Sequence, residues 1–315
     1  MEREMATISE GILDNIDRVI LGKRKVARLL LASLLSGGHA LLDDVPGTGK
    51  TMMARTFARS MSCSFKRIQF TPDLLPSDII GVNIYNQKTS EFEFKPGPIF
   101  ASVVLADEIN RASPKVQSSL LESMEEGQVT IDGIAHKMPE IFFVVATENP
   151  VEQEGTYALP ESQKDRFMIR LKMGYPTPTQ EKSMIDLHWT GHPIQQVPYV
   201  ATPEDIDKLR KGLSKIFIED TVRQYIVDLV TATRESRDIA LGGSPRATLA
   251  LFKMSRAMAA LSGRKFVLPD DVKDLAVPVL AHRILIDPVA QMNGLTPESV
   301  IEDLLEKVPV PIPEG

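Results

Sequence analysis

Cysteine is nearly absent from this chain of 315 residues, with Cys63 the only one. That excludes an intrachain disulfide and a multi-cysteine zinc site, and Cys63 reads as a small core residue. No stretch approaches the roughly 18 consecutive apolar residues that a membrane-spanning helix needs. Met1-Glu2-Arg3-Glu4-Met5 lacks the apolar centre of a secretion signal. These two absences predict a cytoplasmic protein without membrane insertion. Excess positive charge is missing as well: the formal net charge is −6, so nucleic acid and anionic membrane are not default partners. What is present is ordinary globular composition, 43% hydrophobic, in a chain long enough for two cores.

The most informative segment is Asp44-Val45-Pro46-Gly47-Thr48-Gly49-Lys50-Thr51, between the apolar run Ala40-Leu41-Leu42 and a helix-like stretch from Met52 to Met61. A strand that turns sharply into a helix aims backbone N–H groups and the positive end of the helix dipole into one concavity, which suits a polyanion. The pattern predicts a nucleoside-triphosphate phosphate loop, with Lys50 reaching the β- and γ-phosphates and the Thr51 hydroxyl on Mg²⁺. Asp44 stands where the general pattern begins with glycine. Gly47 and Gly49 remain where backbone must approach phosphate, and Pro46 stiffens the turn. The expected nucleotide contacts are Gly22, on the approach to the loop, with Asp44, Val45, Pro46, Gly47, Thr48, Gly49, Lys50, Thr51 and Met52.

Two further apolar runs read as strands buried on both faces of a parallel sheet. Phe100 to Ala106 ends in Asp107-Glu108, and Ile141 to Ala146 ends in Thr147-Glu148-Asn149, closed by Pro150. Ligands bind at the C-terminal edge of such sheets. Asp107 is therefore the candidate for holding Mg²⁺ through its water shell, and Glu108 for orienting or deprotonating an attacking water. Asn149 either touches the γ-phosphate or the water, or simply caps the next loop.

Around these motifs, residues 7–36 read as two helices interrupted at Gly22, and Phe65–Phe70 and Phe167–Leu171 as further strands, an α/β alternation with a central parallel sheet. Two insertions read as β-hairpins, one through Val82–Tyr85 and Glu91–Phe94, the other through Gln128–Ile131 and Ile134–Met138 around the turn Asp132-Gly133. Such hairpins are either working parts that contact a substrate or decoration of the fold. Gly174-Tyr175-Pro176-Thr177-Pro178-Thr179 marks a boundary. Three regions are expected: 1–175, N-terminal helices plus the nucleotide-binding α/β domain; 176–300, an all-helical domain; and 301–315, a short extended tail. Two arginines carry potential chemistry. Arg246, at the start of a helix in the second domain, is placed to cover the γ-phosphate if that domain folds back. Arg166 either pairs with Asp165 or another acid of its own chain or projects into a neighbour's nucleotide site.

The phosphate loop within Leu42–Thr51, Arg67-Ile68-Gln69-Phe70-Thr71-Pro72-Asp73, Pro96-Gly97-Pro98-Ile99-Phe100, Leu105–Ala112, Ala146–Pro150, Leu159–Phe167, Ser244-Pro245-Arg246 and Leu280-Ala281-His282-Arg283 together resemble the MoxR family of AAA+ ATPases over about residues 8–285. The resemblance implies an AAA+ P-loop domain with inserted β-hairpins followed by a helical lid. It also implies an ATP- and Mg²⁺-dependent remodelling protein that assembles as a ring, usually a hexamer. By position, Lys50 and Thr51 match the phosphate-loop residues, Asp107 and Glu108 the metal and catalytic acids, Asn149 the first nucleotide sensor, Arg166 the arginine finger and Arg246 the second sensor. The implied partners are a von Willebrand factor A domain protein and a client complex. Two other readings stand beside this one: a nucleotide-gated assembly module with negligible turnover when unpartnered, and a DNA-directed motor.

Overall fold

The computed structural model describes residues 2–43, 45, 47–149, 157–189 and 191–311. The expected contacts at Asp44 and Pro46, the closing Pro150, and the end of the tail from Ile312 lie outside them. Five strands form one parallel sheet in the order β2-β5-β8-β1-β9: β1 (Ala40–Asp43), β2 (Phe65–Gln69), β5 (Val103–Asp107), β8 (Phe143–Glu148) and β9 (Ile169–Leu171). Side chains alternate across a pleated strand, and the two sheet faces divide accordingly. Val103 and Leu105 of β5 join one apolar cluster, while Val104 and Ala106 join another with Val116, Leu120 and Leu121 of α5 (Pro114–Glu126).

The first cluster continues without interruption into the C-terminal half. Helices α1 (Glu2–Val19) and α2 (Arg24–Leu35) pack on α10 (Pro245–Leu261), and α1 also packs on α3 (Lys50–Ser60). The N-terminal helices thus lie between the nucleotide-binding layer and the helical lid and bury apolar surface against both. On the remaining sheet edge, the α1–α2 turn grips the exit of β9: Lys23 Nζ donates to the carbonyls of Met173, Gly174 and Tyr175 at 2.5, 3.0 and 3.2 Å.

The expected hairpins are present as β3 (Gly81–Asn86) with β4 (Glu91–Pro96) and β6 (Gln128–Ile131) with β7 (Ile134–Lys137). They touch each other: Asn83 Nδ2 donates to Asp132 Oδ2 at 2.6 Å, and Phe94 stacks on His136 with ring centroids 3.9 Å apart. Beyond β9 run α7 (Pro178–Trp189), α8 (Pro203–Gly212), α9 (Asp220–Glu235), α10, α11 (Pro269–Leu280), α12 (Pro288–Met292) and α13 (Pro297–Lys307).

Two expectations for this half need correction. The lid is not purely helical, because Ile239–Leu241 (β10) and Leu285–Ile286 (β11) pair antiparallel; strands this short carry no period-two signal. The segment 301–315 does not begin as an extended tail. Residues up to Lys307 belong to α13, which buries Val300, Ile301 and Leu304 at helical spacing. Its start is capped by Thr296, whose hydroxyl accepts from the Ser299 N–H at 3.1 Å. No regular element is assigned over residues 308–311.

At the N-terminal edge of the sheet His39 is buried. The Val144 N–H donates to its Nδ1 at 3.0 Å, and Nε2 faces the Met124 carbonyl at 3.2 Å, an arrangement that fits the neutral ring with hydrogen on Nε2. Burial pushes its pKa down to about 4 from 6.5. Because the folded pKa lies below the unfolded one, the unfolded chain takes up the proton first. The stabilisation held by the neutral ring is complete above about pH 6.5 and is lost as pH falls through about 4. The shift corresponds to about 3 kcal/mol. Denaturant unfolding of the wild type and His39→Gln across this window should show the wild-type advantage shrinking on acidification; a pH-independent difference would contradict the assignment.

Candidate functional site

The chain leaves β1 and enters α3 through Gly47 and Gly49, both with positive φ, 85° and 92°. Residues with a Cβ rarely adopt that conformation, so glycine is what lets the turn close. Lys50 is the first residue of α3 and is almost buried. Its Nζ donates back to the Val45 carbonyl at 3.2 Å, and the Thr48 hydroxyl donates to the same oxygen at 3.3 Å. Gly47, Gly49, Lys50, Thr51 and Met52 line a cavity of about 340 Å³ together with Arg67, Asp107, Glu108 and Asn149. The phosphate loop, both acids and the polar end of β8 therefore meet at one place, as their positions at the C-terminal edge of a parallel sheet require.

Asp107 ends β5, and both of its oxygens are occupied. Oδ1 accepts from the Thr147 hydroxyl at 2.7 Å. Oδ2 accepts from Arg67 Nε and Nη2 at 3.0 and 2.6 Å. Glu108 follows in the left-handed region, φ 58° and ψ 50°, a conformation that costs a non-glycine residue about 1 kcal/mol or more. Its backbone N–H donates to the Thr147 hydroxyl at 2.8 Å, so Thr147 fixes both acids. The Glu108 carboxylate is held in turn, its Oε2 accepting from Gln69 Nε2 at 2.8 Å and from Arg111 Nη1 at 3.0 Å. Gln69 Oε1 accepts from Arg67 Nη2, which closes a chain from one acid to the other. Asn149 lines the cavity and is 5% exposed.

Sequence reasoning missed Arg67, Gln69, Arg111 and Thr147 as site residues. The available signal was the polar, apolar, polar order Arg67-Ile68-Gln69: alternate residues of β2 share a face, and the register pairs Gln69 with Asp107. Gly22 is not among the residues lining this cavity. It has φ +72°, and a Cβ there would meet the Gln180 side chain at 1.8 Å, so it packs against α7. The turn does approach the loop through Ile20, whose Cγ2 would lie 3.9 Å from a Cβ built on Gly49.

Arg166 and Arg246 lie elsewhere. Arg166 is three residues ahead of β9, and its Nε pairs with Glu125 Oε2 at 3.2 Å. Arg246 Nη2 pairs with Glu125 Oε1. Glu125 lies near the end of α5, beside Met124, whose carbonyl meets His39 just ahead of β1. Both arginines thus belong to the N-terminal edge of the sheet, opposite the phosphate loop. Arg246 is expected over the γ-phosphate only if the second domain folds back as a lid; here the lid sets it beside Arg166 at Glu125.

Asp165 accepts from the Ser244 hydroxyl at 3.1 and 2.9 Å and from Arg283 Nε at 3.0 Å. Arg283 is sealed in, also donating to the Phe167 and Met168 carbonyls at 2.6 and 3.1 Å. Burial lowers its pKa to about 10 against the opposing pull of Asp165, and it remains a cation at neutral pH. The lid helices α10 and α11 therefore tie down the segment that carries Arg166.

The profile of the ATPase family associated with various cellular activities (AAA) matches residues 39–169, and that of the AAA lid domain matches residues 231–304. The chain is 50% identical to YeaC of Bacillus subtilis, described as uncharacterized, over 95% of its own length and 94% of the relative's. It is 40% identical to a Mycobacterium tuberculosis protein named Chaperone MoxR1, over 98% and 83% of the two chains. A crystal structure from Cytophaga hutchinsonii, provisionally described as an ATPase, superposes with TM-score 0.91 at 39% identity, covering 99% of this chain and 98% of that one. Full-length similarity of this order, on a sheet and lid arranged as described, places the chain in the MoxR family of AAA+ ATPases.

Proposed function

We propose that this protein hydrolyses ATP at a composite site between neighbouring subunits of a ring and uses the cycle to remodel a partner complex. The observation that carries the reading is the separation of the functional groups onto opposite sheet edges: phosphate loop, Asp107, Glu108 and Asn149 on one, Arg166 and Arg246 on the other. Two basic side chains presented together on a surface away from the loop suit a phosphate held by the next subunit. Heterologous head-to-tail contacts of that kind generate rings when the rotation closes.

Within one subunit Lys50 and the N–H groups at the start of α3 would hold the β- and γ-phosphates. The donor set fits Mg²⁺: one carboxylate, Asp107, and the hydroxyl of Thr51 suit a hydrated ion shared with phosphate oxygens. No group of three or more His, Cys, Asp or Glu among the described residues could cage a metal alone. When bound, the ion supplies charge neutralisation at the phosphate oxygens. Glu108 would orient a water and accept its proton. Gln69 and Arg111 both donate to its Oε2, so taking a proton at that oxygen requires them to give way. Asn149 would position the γ-phosphate or the water.

The remodelling role and the von Willebrand factor A domain partner rest on the family resemblance and on a relative named as a chaperone. The hairpins offer surface for a client, with Val82, Ile84, Tyr85, Phe92 and Ile134 exposed. The hold on both acids also favours a second reading, an assembly module that binds nucleotide but turns it over only with a partner present. Measurable steady-state hydrolysis by the isolated protein would eliminate that alternative.

Two substitutions test the chemistry. Glu108→Gln should retain ATP binding and lower kcat by about 10² or more; robust hydrolysis by this variant would remove Glu108 from the role of base. Arg166→Ala should lower kcat by about 10³ while leaving ADP affinity at low protein concentration unchanged, as read by fluorescent-nucleotide titration. Arg246→Ala should behave similarly with a smaller loss. A weakened ADP affinity in dilute, unassembled protein would instead mean that these arginines serve their own chain's nucleotide.

A further inference from the structure

The contact between Arg67 and Asp107 occupies the place where the nucleotide site needs a metal ion. Arg67 directs two N–H groups at one oxygen, Oδ2, at 3.0 and 2.6 Å, while Thr147 holds Oδ1 at 2.7 Å. The Asp107 side chain is 13% exposed and that of Arg67 48%. An enclosed carboxylate stripped of its partner is costly, so Asp107 keeps the guanidinium until another cation replaces it. Arg67 stands on β2, an edge strand of the sheet, and can swing into solvent without leaving a charge stranded. The exchange is therefore asymmetric: Asp107 needs a cation, whereas Arg67 does not need Asp107.

We infer that Arg67 is an internal stand-in for the divalent cation, a positioning residue that competes with the metal for Asp107 and must be displaced before the site is loaded. The inference rests on the nucleotide-site reading given above. Displacement reaches the second acid through Gln69, which accepts from Arg67 Nη2 and donates to Glu108 Oε2 at 2.8 Å. Loss of Arg67 from Asp107 removes one of the two bonds that orient the Gln69 amide, and with it part of the hold on Glu108. Arg67 thus links arrival of the metal at one carboxylate to release of the other.

The test uses Mn²⁺ as probe and ADP as nucleotide, so that no turnover enters. Free Mn²⁺ is titrated by electron paramagnetic resonance against wild type, Arg67→Gln, Asp107→Asn and the double variant, all saturated with ADP. Arg67→Gln should bind Mn²⁺ about fivefold more tightly than wild type, the scale of one partly exposed ion pair removed from competition. In the Asp107→Asn background the same substitution should change Mn²⁺ affinity little, because the competition has lost its object. Unchanged or weaker Mn²⁺ binding by Arg67→Gln would overturn the inference. So would tightening that persists in the Asp107→Asn background, since that would report only a general relief of positive charge. Fluorescent-ADP binding to the wild type separates the two levels: failure of ADP to bind sinks the nucleotide-site reading itself, whereas normal ADP binding with the wrong Mn²⁺ pattern sinks only the role of Arg67.

Discussion

The common direction of five paired strands governs where every functional group of this protein can act. Parallel pairing sends the ends of β1, β5 and β8 to one edge, so the phosphate loop, the two acids and Asn149 converge without further instruction. The same polarity sends the residues ahead of β1 and β9 to the other edge, where α5, running back along the sheet, delivers Glu125. A side chain at Arg166 is therefore separated from its own chain's phosphate loop by the length of a strand. What looks like a distributed set of residues along the sequence becomes two groups at opposite edges of the sheet.

The lid reinforces the separation. Arg283, buried in the turn after α11, holds four backbone carbonyls and the Asp165 carboxylate, and Ser244 at the start of α10 holds the same carboxylate. Removing the guanidinium would take the nearest cation from a shielded carboxylate and a donor from several carbonyls, a loss larger than that of a surface ion pair. Meanwhile α1 and α2 bury apolar side chains against both the sheet layer and α10. A shift of the lid must therefore move Arg246 and the Arg166 segment together, and α1, packed on both α3 and α10, gives the lid a second contact with the element that follows the phosphate loop.

The chain disclosed the two apolar runs ending in acids and in Asn149 because strands buried on both faces are unbroken apolar runs, and a charge at their exit stands out. It disclosed the loop because glycine spacing and the lysine are local. Arg67, Gln69 and Thr147 were harder to see: their roles depend on the register that pairs β2 with β5 and on β8 lying next to β5, neither of which a local pattern encodes. Arg246 stands out in the sequence as a candidate, but its place beside Arg166 at Glu125 does not, because sequence gives no orientation for the lid. The two-residue strand Leu285–Ile286 and the helix Pro297–Lys307 were missed for opposite reasons, the first too short to show a period, the second overshadowed by the proline-rich segment after it.

The central claim, a site assembled from two subunits, is tested most directly by mixing two variants that are each inactive for a different reason. Glu108→Gln keeps an intact arginine edge, and Arg166→Ala keeps an intact loop edge. If the site is shared, co-assembly places the Glu108 of one variant against the Arg166 of the other, and ATP hydrolysis returns in the mixture as subunits exchange. Hydrolysis that stays at the level of the separate variants, in mixtures shown by light scattering to have co-assembled, would contradict the account.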